Sequence, residues 1–193
     1  MGRTRTFAEN DVARSARTVF WDRGYEDTSL PDLEAATGLN RSSIYHSFGS
    51  KRGLFDAAVE SYLDDVVRPR LAGLRAPGIE PGALETYLLG LRHAMVEQTT
   101  SLAANGCLLL NAAGSVLGHD ERLTAVVTLY CDDLAAAIGA GVDARRPDLE
   151  PAIRASLSTT CTGLVFASMA VVRVDRAAAA SMLDAAIDAV SRY

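Results

Sequence analysis

Aromatic residues make up only 6% of this 193-residue chain, and it has one tryptophan and three cysteines. The alternation of apolar and polar residues that a half-buried strand needs is rare, which argues against a sheet. Cys107, Cys131 and Cys161 lie too far apart for a zinc or redox motif, and an odd number leaves one unpaired in any disulfide scheme. They read as small buried side chains in a reducing cytoplasm. His93, His119 and these cysteines match no ligand spacing, so neither a metal nor a cofactor is expected. There is no G-x-S-x-G, no phosphate-binding loop and no dinucleotide fingerprint, and nothing else proposes a nucleophile, so an enzyme is not expected. Gly49-Ser50-Lys51 lacks the earlier glycine and the preceding strand of a phosphate loop.

Membrane signals are equally thin. The N-terminus is polar and is not followed by the apolar run of a secretory signal. Residues 98–118 and 155–172 carry no charge, and the second is at the lower edge of a spanning length. The first is broken by Asn105-Gly106 and the second contains six Ser or Thr, so both read as buried helices, with no membrane partner.

What remains is rich in alanine, leucine and charge, punctuated by Gly, Pro, Asp and Asn at helical intervals. The spacing predicts an all-α chain of about nine helices. The first covers about residues 8–23, with Val12, Ala16 and Phe20 on one stripe and Gly24 as the stop. A second follows Thr28 as N-cap and ends at Gly38, with Pro31 in its first turn; a third follows Asn40 and ends near Phe48. A long fourth follows Ser50 and runs to Arg68-Pro69. Residues 76–82 form a linker, and five more helices are expected over about 83–102, 107–117, 121–140, 149–173 and 176–192. Asp120, Asp148 and Asp175 stand where N-caps are needed. The chain divides into a head, residues 1–55, and a helical body, residues 56–193.

The net charge of -5 is unevenly placed. Residues 1–55 hold eight Lys+Arg against seven Asp+Glu, a balance of +1, whereas residues 56–193 hold eleven against seventeen, a balance of -6. Only the head is not repelled on average by a polyanion. Within it, the run from Thr28 to Phe55 places Gly38-Leu39-Asn40 between two short helices, a helix-turn-helix. Leu33, Ala36, Ile44 and Phe48 supply the apolar crossing. The third helix is left to present Arg41, Ser42, Ser43, Tyr45 and His46, a hydrogen-bonding face suited to a major groove. Three helix N-termini, after Thr28, Asn40 and Ser50, aim amides at phosphate. Plainer roles stand beside these: a solvated surface for His46 and Lys51, and packing on the first helix for Tyr45.

Phe20, Gly24-Tyr25, Thr28-Ser29, Gly38-Leu39-Asn40, Tyr45-His46-Ser47-Phe48 and Ser50-Lys51 together resemble the DNA-binding domain of the TetR family of bacterial regulators. Asn105-Gly106-Cys107-Leu108-Leu109-Leu110-Asn111 is similar to a segment in one branch of that family's C-terminal domains. The resemblance implies phosphate contacts from Thr28, Ser43, Tyr45 and Lys51, the only lysine, and base contacts from Arg41, Ser42 and His46. It also implies that Arg3 and Arg5 reach the minor groove. Two departures are present. Arg17 replaces a usually apolar residue, and Arg52-Gly53 replaces an acidic, helix-favouring pair, so Gly53 is expected to loosen the fourth helix by up to about 1 kcal/mol.

For the body, the resemblance implies a cytoplasmic homodimer that pairs its last two helices with those of its mate. Thr159, Gly163, Phe166, Ala167, Ala170, Met182, Leu183 and Ile187 are the candidate contacts; the core of a monomer is the alternative. It implies a small-molecule effector among the middle helices. The candidate lining is Tyr62, Tyr87, Leu91, Met95, Leu110, Asn111, Gly114, Tyr130, Leu134 and Phe166, each of which also suits plain core. Asn111 stands out as an amide within apolar sequence, since a buried amide needs a partner. The expected function is a ligand-responsive regulator, a repressor released from a near-palindromic double-stranded operator. A protein-interaction module that reuses the fold is the alternative.

Overall fold

The computed structural model describes residues 2–96 and 101–192, with side chains from residue 9 onward. Every regular element among them is helical. The head contains α1 (Gly2–Arg23), α2 (Leu30–Thr37) and α3 (Arg41–Phe48). The connecting helix starts as α4 (Lys51–Tyr62), widens into a π-helical turn at Leu63–Val67 and resumes as α5 (Arg68–Leu71). The body consists of α6 (Ala83–Val96), α7 (Ser101–Asn105), α8 (Leu108–Ala113), α9 (Glu121–Arg145), α10 (Pro151–Val171) and α11 (Arg176–Arg192). The all-α class and the helix-turn-helix arrangement are as the sequence predicts.

Local chemistry explains most boundaries. Asn40 caps α3 by accepting from the Ser43 amide at 2.9 Å, and Ser50 caps α4 by accepting from that of Gly53 at 3.0 Å. Asp120 caps α9 through the Leu123 amide at 2.8 Å, and Asp175 accepts from that of Ala178 at 2.9 Å. Two predicted caps move. Ser29, not Thr28, caps α2, in a reciprocal box with Asp32. Asp148 is held by Arg146 at 2.7 Å, and α10 begins at Pro151. The fourth helix also crosses its predicted stop: Pro69 has no amide to donate, and the π turn just before it absorbs the mismatch. Helix α1 begins at Gly2, so Arg3 and Arg5 lie on a helix; their side chains fall outside the described ones.

The core is continuous from head to body. Phe20 and Phe55 meet edge to face at 5.2 Å, joining α1 to α4, and Leu33 and Ile44 are fully buried at the crossing of α2 and α3. Ala36, expected in that crossing, is exposed. Gly53 is there for clearance. A Cβ at this position would overlap the Phe48 carbonyl where the chain turns from α3 into α4. Arg17, the other departure, donates to the Ser61 carbonyl at 2.8 Å and to Asp65 at 2.8 Å, binding α1 to the π turn.

In the body, α10 and α11 pair with each other and pack on α6 and α9. Two helical stretches, Ser101–His119 and Glu121–Arg145, are apolar and long enough for a membrane by composition alone. The first is interrupted after α7 by Gly106.

Candidate DNA-reading face and effector cavity

Helix α3 presents Arg41, Ser42, Tyr45, His46 and Ser47 outward, while Ile44 anchors it from behind. The Arg41 guanidinium lies 5.5 Å from the centre of the Tyr45 ring, so cation and phenol form one stacked unit on the exposed face. Lys51 opens α4 with its Nζ 4.4 Å from the centre of the Tyr25 ring, which steers the ammonium without neutralising it. Ser43 is half-buried, its amide taken by the Asn40 cap.

Thr28 is a correction. It is 1% exposed and its hydroxyl donates to the Gly24 carbonyl at 2.5 Å, so it ties the end of α1 to the start of α2 and leaves the outward set. The helix N-termini are also less open than expected. Asp32 sits in the first turn of α2, held below the usual carboxylate range chiefly by hydrogen bonds from Ser29. Glu34 accepts from the Arg41 amide at the start of α3. Caps take the Asp32, Ser43 and Gly53 amides, leaving those of Ser42, Lys51 and Arg52 in the first turns of α3 and α4.

The body encloses a cavity of about 20 Å³ lined by Tyr62, Tyr87, Leu91, Tyr130 and Leu134, all predicted, and by Val66, Arg70 and Met169 among others. That is room for a water-sized group. The cavity shares Arg70, Tyr87 and Leu91 with an open groove of about 800 Å³ between residues 73–83 and the outer face of α6. Tyr62 donates to the Cys107 Sγ at 3.5 Å, and Tyr130 donates to the Met169 Sδ at 3.5 Å. Burial pushes the Tyr62, Tyr87 and Tyr130 hydroxyls above the ordinary phenol range, so they act as neutral donors; the Arg70 charge pulls the first two back.

Five predicted lining residues lie elsewhere. Met95 is fully buried outside the cavity wall, and Phe166 packs edge-on to Tyr130 at 6.4 Å. Leu110 and Gly114 do not reach the cavity. Asn111 faces a cleft between head and body, and its amide donates to the Asn105 carbonyl at 2.6 Å; the partner it needed is in its own chain. Sequence reasoning missed Arg70 and Met169, because charged and distant residues carry no periodic mark of a cavity.

Of the proposed pairing face, Thr159, Gly163 and Ala170 are exposed, and Phe166, Ala167, Met182 and Ile187 are half-buried. Leu183 is a correction: it is fully buried within its own chain where α11 packs on α10 and α6. Burial pushes the Cys161 thiol up to about 11, in keeping with a packing role. No cluster of His, Cys, Asp or Glu suited to a metal occurs among the described residues.

A helix-turn-helix head with a polar outer helix, fused to a helical body with a cavity, defines an all-helical class of fold. Comparison shows what it is similar to. Residues 13–58 match the model of bacterial regulatory proteins of the tetR family. The chain is 35% identical over 123 residues to the uncharacterized HTH-type transcriptional regulator YezE of Bacillus subtilis, covering 64% of this chain and 62% of that one. It is 32% identical over 112 residues to the HTH-type transcriptional repressor ComR of Escherichia coli, covering 57% of this chain and 51% of that one. The chain thus spans 62% and 51% of the lengths of these two relatives. Among solved structures it superposes on a cysteine mutant of the TetR-family regulator CifR complexed with 26-bp double-stranded operator DNA, with a TM-score of 0.74 and 25% identity. That match covers 92% of this chain and 94% of that one. Residues 13–58 thus match the DNA-binding head of the tetR family, and the chain shares the fold of a solved TetR-family regulator.

Proposed function

We propose that this chain is a ligand-responsive, DNA-binding transcriptional repressor that works in the cytoplasm as a homodimer, with residues 1–55 as reading head and residues 56–193 as sensing and pairing body. The observation that carries this reading is the outward face of α3. Arg41, Ser42, Tyr45 and His46 project together, with Lys51 beside them at the start of α4. Arg41, Ser42 and His46 are assigned to base edges, and Ser43, Tyr45 and Lys51 to phosphate. The repressor named among the relatives and the operator complex of CifR support the reading of the chain as a DNA-binding repressor.

A small recognition helix buries too little to bind tightly alone, so two heads on a two-fold axis, about 34–36 Å apart, would read a near-palindrome. The small, exposed residues of α10 (Thr159, Gly163 and Ala170) suit close helix approach for that pairing. An effector taken into the body would act by favouring a head spacing that misfits the operator, a coupling of typically about 1–3 kcal/mol. A short path exists: Tyr62 in the cavity wall stacks edge-on to Trp21 of the head at 4.9 Å. Selection of binding sites from random duplex DNA by the full chain, with its mass measured in solution, tests the proposal. An inverted repeat bound by a dimer is expected; no sequence enrichment, or a monomer on a single half-site, would refute it.

A further inference from the structure

The proposed effector site contains a solvent-exposed arginine without an ion-pair partner among the described residues. Three arginines follow the π turn. Arg68 pairs with Glu60 at 3.1 Å and with Asp64, and Arg75 pairs with Asp133. Asp65, the remaining nearby carboxylate, is held by Arg14 at 2.9 Å and Arg17 at 2.8 Å. Arg70 has no ion-pair partner among the described residues and donates only to the Val66 carbonyl, at 3.0 Å. It is the single charged side chain lining the cavity, and it lines the groove as well. Glu80 also borders the groove but forms no ion pair with it.

A second donor converges on the same place. Tyr87 is 8% exposed and lines both cavity and groove, and its hydroxyl makes no hydrogen bond within the described residues. The hydroxyls of Tyr62 and Tyr130 differ in having sulfur partners, Cys107 and Met169. Behind these donors the wall is apolar, formed by Val66, Leu91, Leu134 and Met169.

Resting on the reading of this cavity as the effector site, we infer that the effector is a small organic carboxylate with an aromatic or branched apolar body. Its carboxylate lies on Arg70 and Tyr87 at the junction of groove and cavity, and its body extends inward against Leu91 and Leu134. A planar guanidinium matches a carboxylate in two parallel hydrogen bonds, and a buried phenol supplies a third. An amine would meet an arginine with no paired acid, and a neutral molecule would form no ion pair with a guanidinium that water otherwise solvates. The groove gives the path inward; the free cavity has room only for a water-sized group, so the π turn that carries Val66 must widen as the body enters.

The test compares acid and amide pairs of one shape, phenylacetate with phenylacetamide and hexanoate with hexanamide, on the full chain. Binding is read by the shift in Tm and by the emission of Trp21. An acid of at least one pair should bind with its amide weaker by roughly tenfold or more, and Arg70→Gln should remove that difference. Tyr87→Phe should weaken the acid several-fold, and Val66→Phe, which fills the cavity from a half-buried position, should abolish binding. The unliganded Tm of each variant establishes that it folds. Equal binding of acid and amide, both lost in Val66→Phe, overturns the carboxylate and keeps the pocket. Binding that survives Val66→Phe puts the site elsewhere and overturns both readings. No response to any of the four compounds overturns the carboxylate assignment.

Discussion

The indole Nε1 of Trp21 donates a 2.9 Å hydrogen bond to the carbonyl of Gly106, joining the first helix of the head to the turn between α7 and α8 of the body. Both groups are buried. Next to Gly106, Cys107 accepts from Tyr62, whose ring stacks on the same indole. One tryptophan therefore touches the carbonyl that ends α7 and a wall of the cavity. Trp21→Phe keeps the ring contact and strands the Gly106 carbonyl, at a cost of about 1–3 kcal/mol. Chemical denaturation should show that loss, and in the proposed regulator the variant should bind DNA with a weakened response to effector. An unchanged stability would mean the bond contributes nothing.

Gly53 gives a prediction opposite to intuition. By helix propensity alone, Gly53→Ala should stabilise α4 by up to about 1 kcal/mol. Its Cβ would overlap the backbone carbonyl of Phe48, which cannot yield as a side chain could. The variant should instead lose about 1–3 kcal/mol, measured by urea titration.

Thr28 and Ser29 can be separated by exchanging one atom group at each. Thr28→Val should lose about 1 kcal/mol by leaving the Gly24 carbonyl without its donor. Ser29→Ala should lose a comparable amount, about 1 kcal/mol, through the cap. Neither should change the salt dependence of DNA binding, since neither side chain is assigned to phosphate. A shallower salt slope in Thr28→Val would restore the contact expected from sequence.

Acid stability tests the clasp between head and body. Arg52 on α4 reaches Asp120 at 2.6 Å and Asp56 at 2.8 Å, while Asp120 also caps α9. The Arg52 guanidinium, with the Leu123 amide, holds the Asp120 carboxyl down to about 2 from its ordinary 3.8. A depressed value stabilises the folded chain above about pH 4, and that stabilisation disappears as pH falls through about 2. Asp120→Asn keeps a capping oxygen and removes the charge. Its unfolding midpoint should therefore depend less on pH across that window than the parent's, as followed by circular dichroism.

The sequence made the head legible because its short helices are set by local chemistry. Gly24, Gly38, Asn40 and Ser50 mark their ends, and Ile44 assigns the faces of α3. Adjacent capping candidates were the limit there, since only packing decides that Thr28 turns inward and Ser29 outward. In the body, apolar faces predict burial but not what they are buried against. Leu183 turns into its own core, Asn111 finds a backbone carbonyl, and Arg70 joins the cavity through a π turn that no residue pattern announces.

The central claim is that α3 and Lys51 read duplex DNA, and its most direct test is affinity for the selected site as a function of salt. Affinity should fall steeply with salt for the full chain. Lys51→Ala should weaken binding similarly on all sequences and reduce the slope by about one, while Arg41→Ala should also relax base preference at one position of each half-site. Binding indifferent to salt and sequence, or two variants that behave alike, would contradict the account.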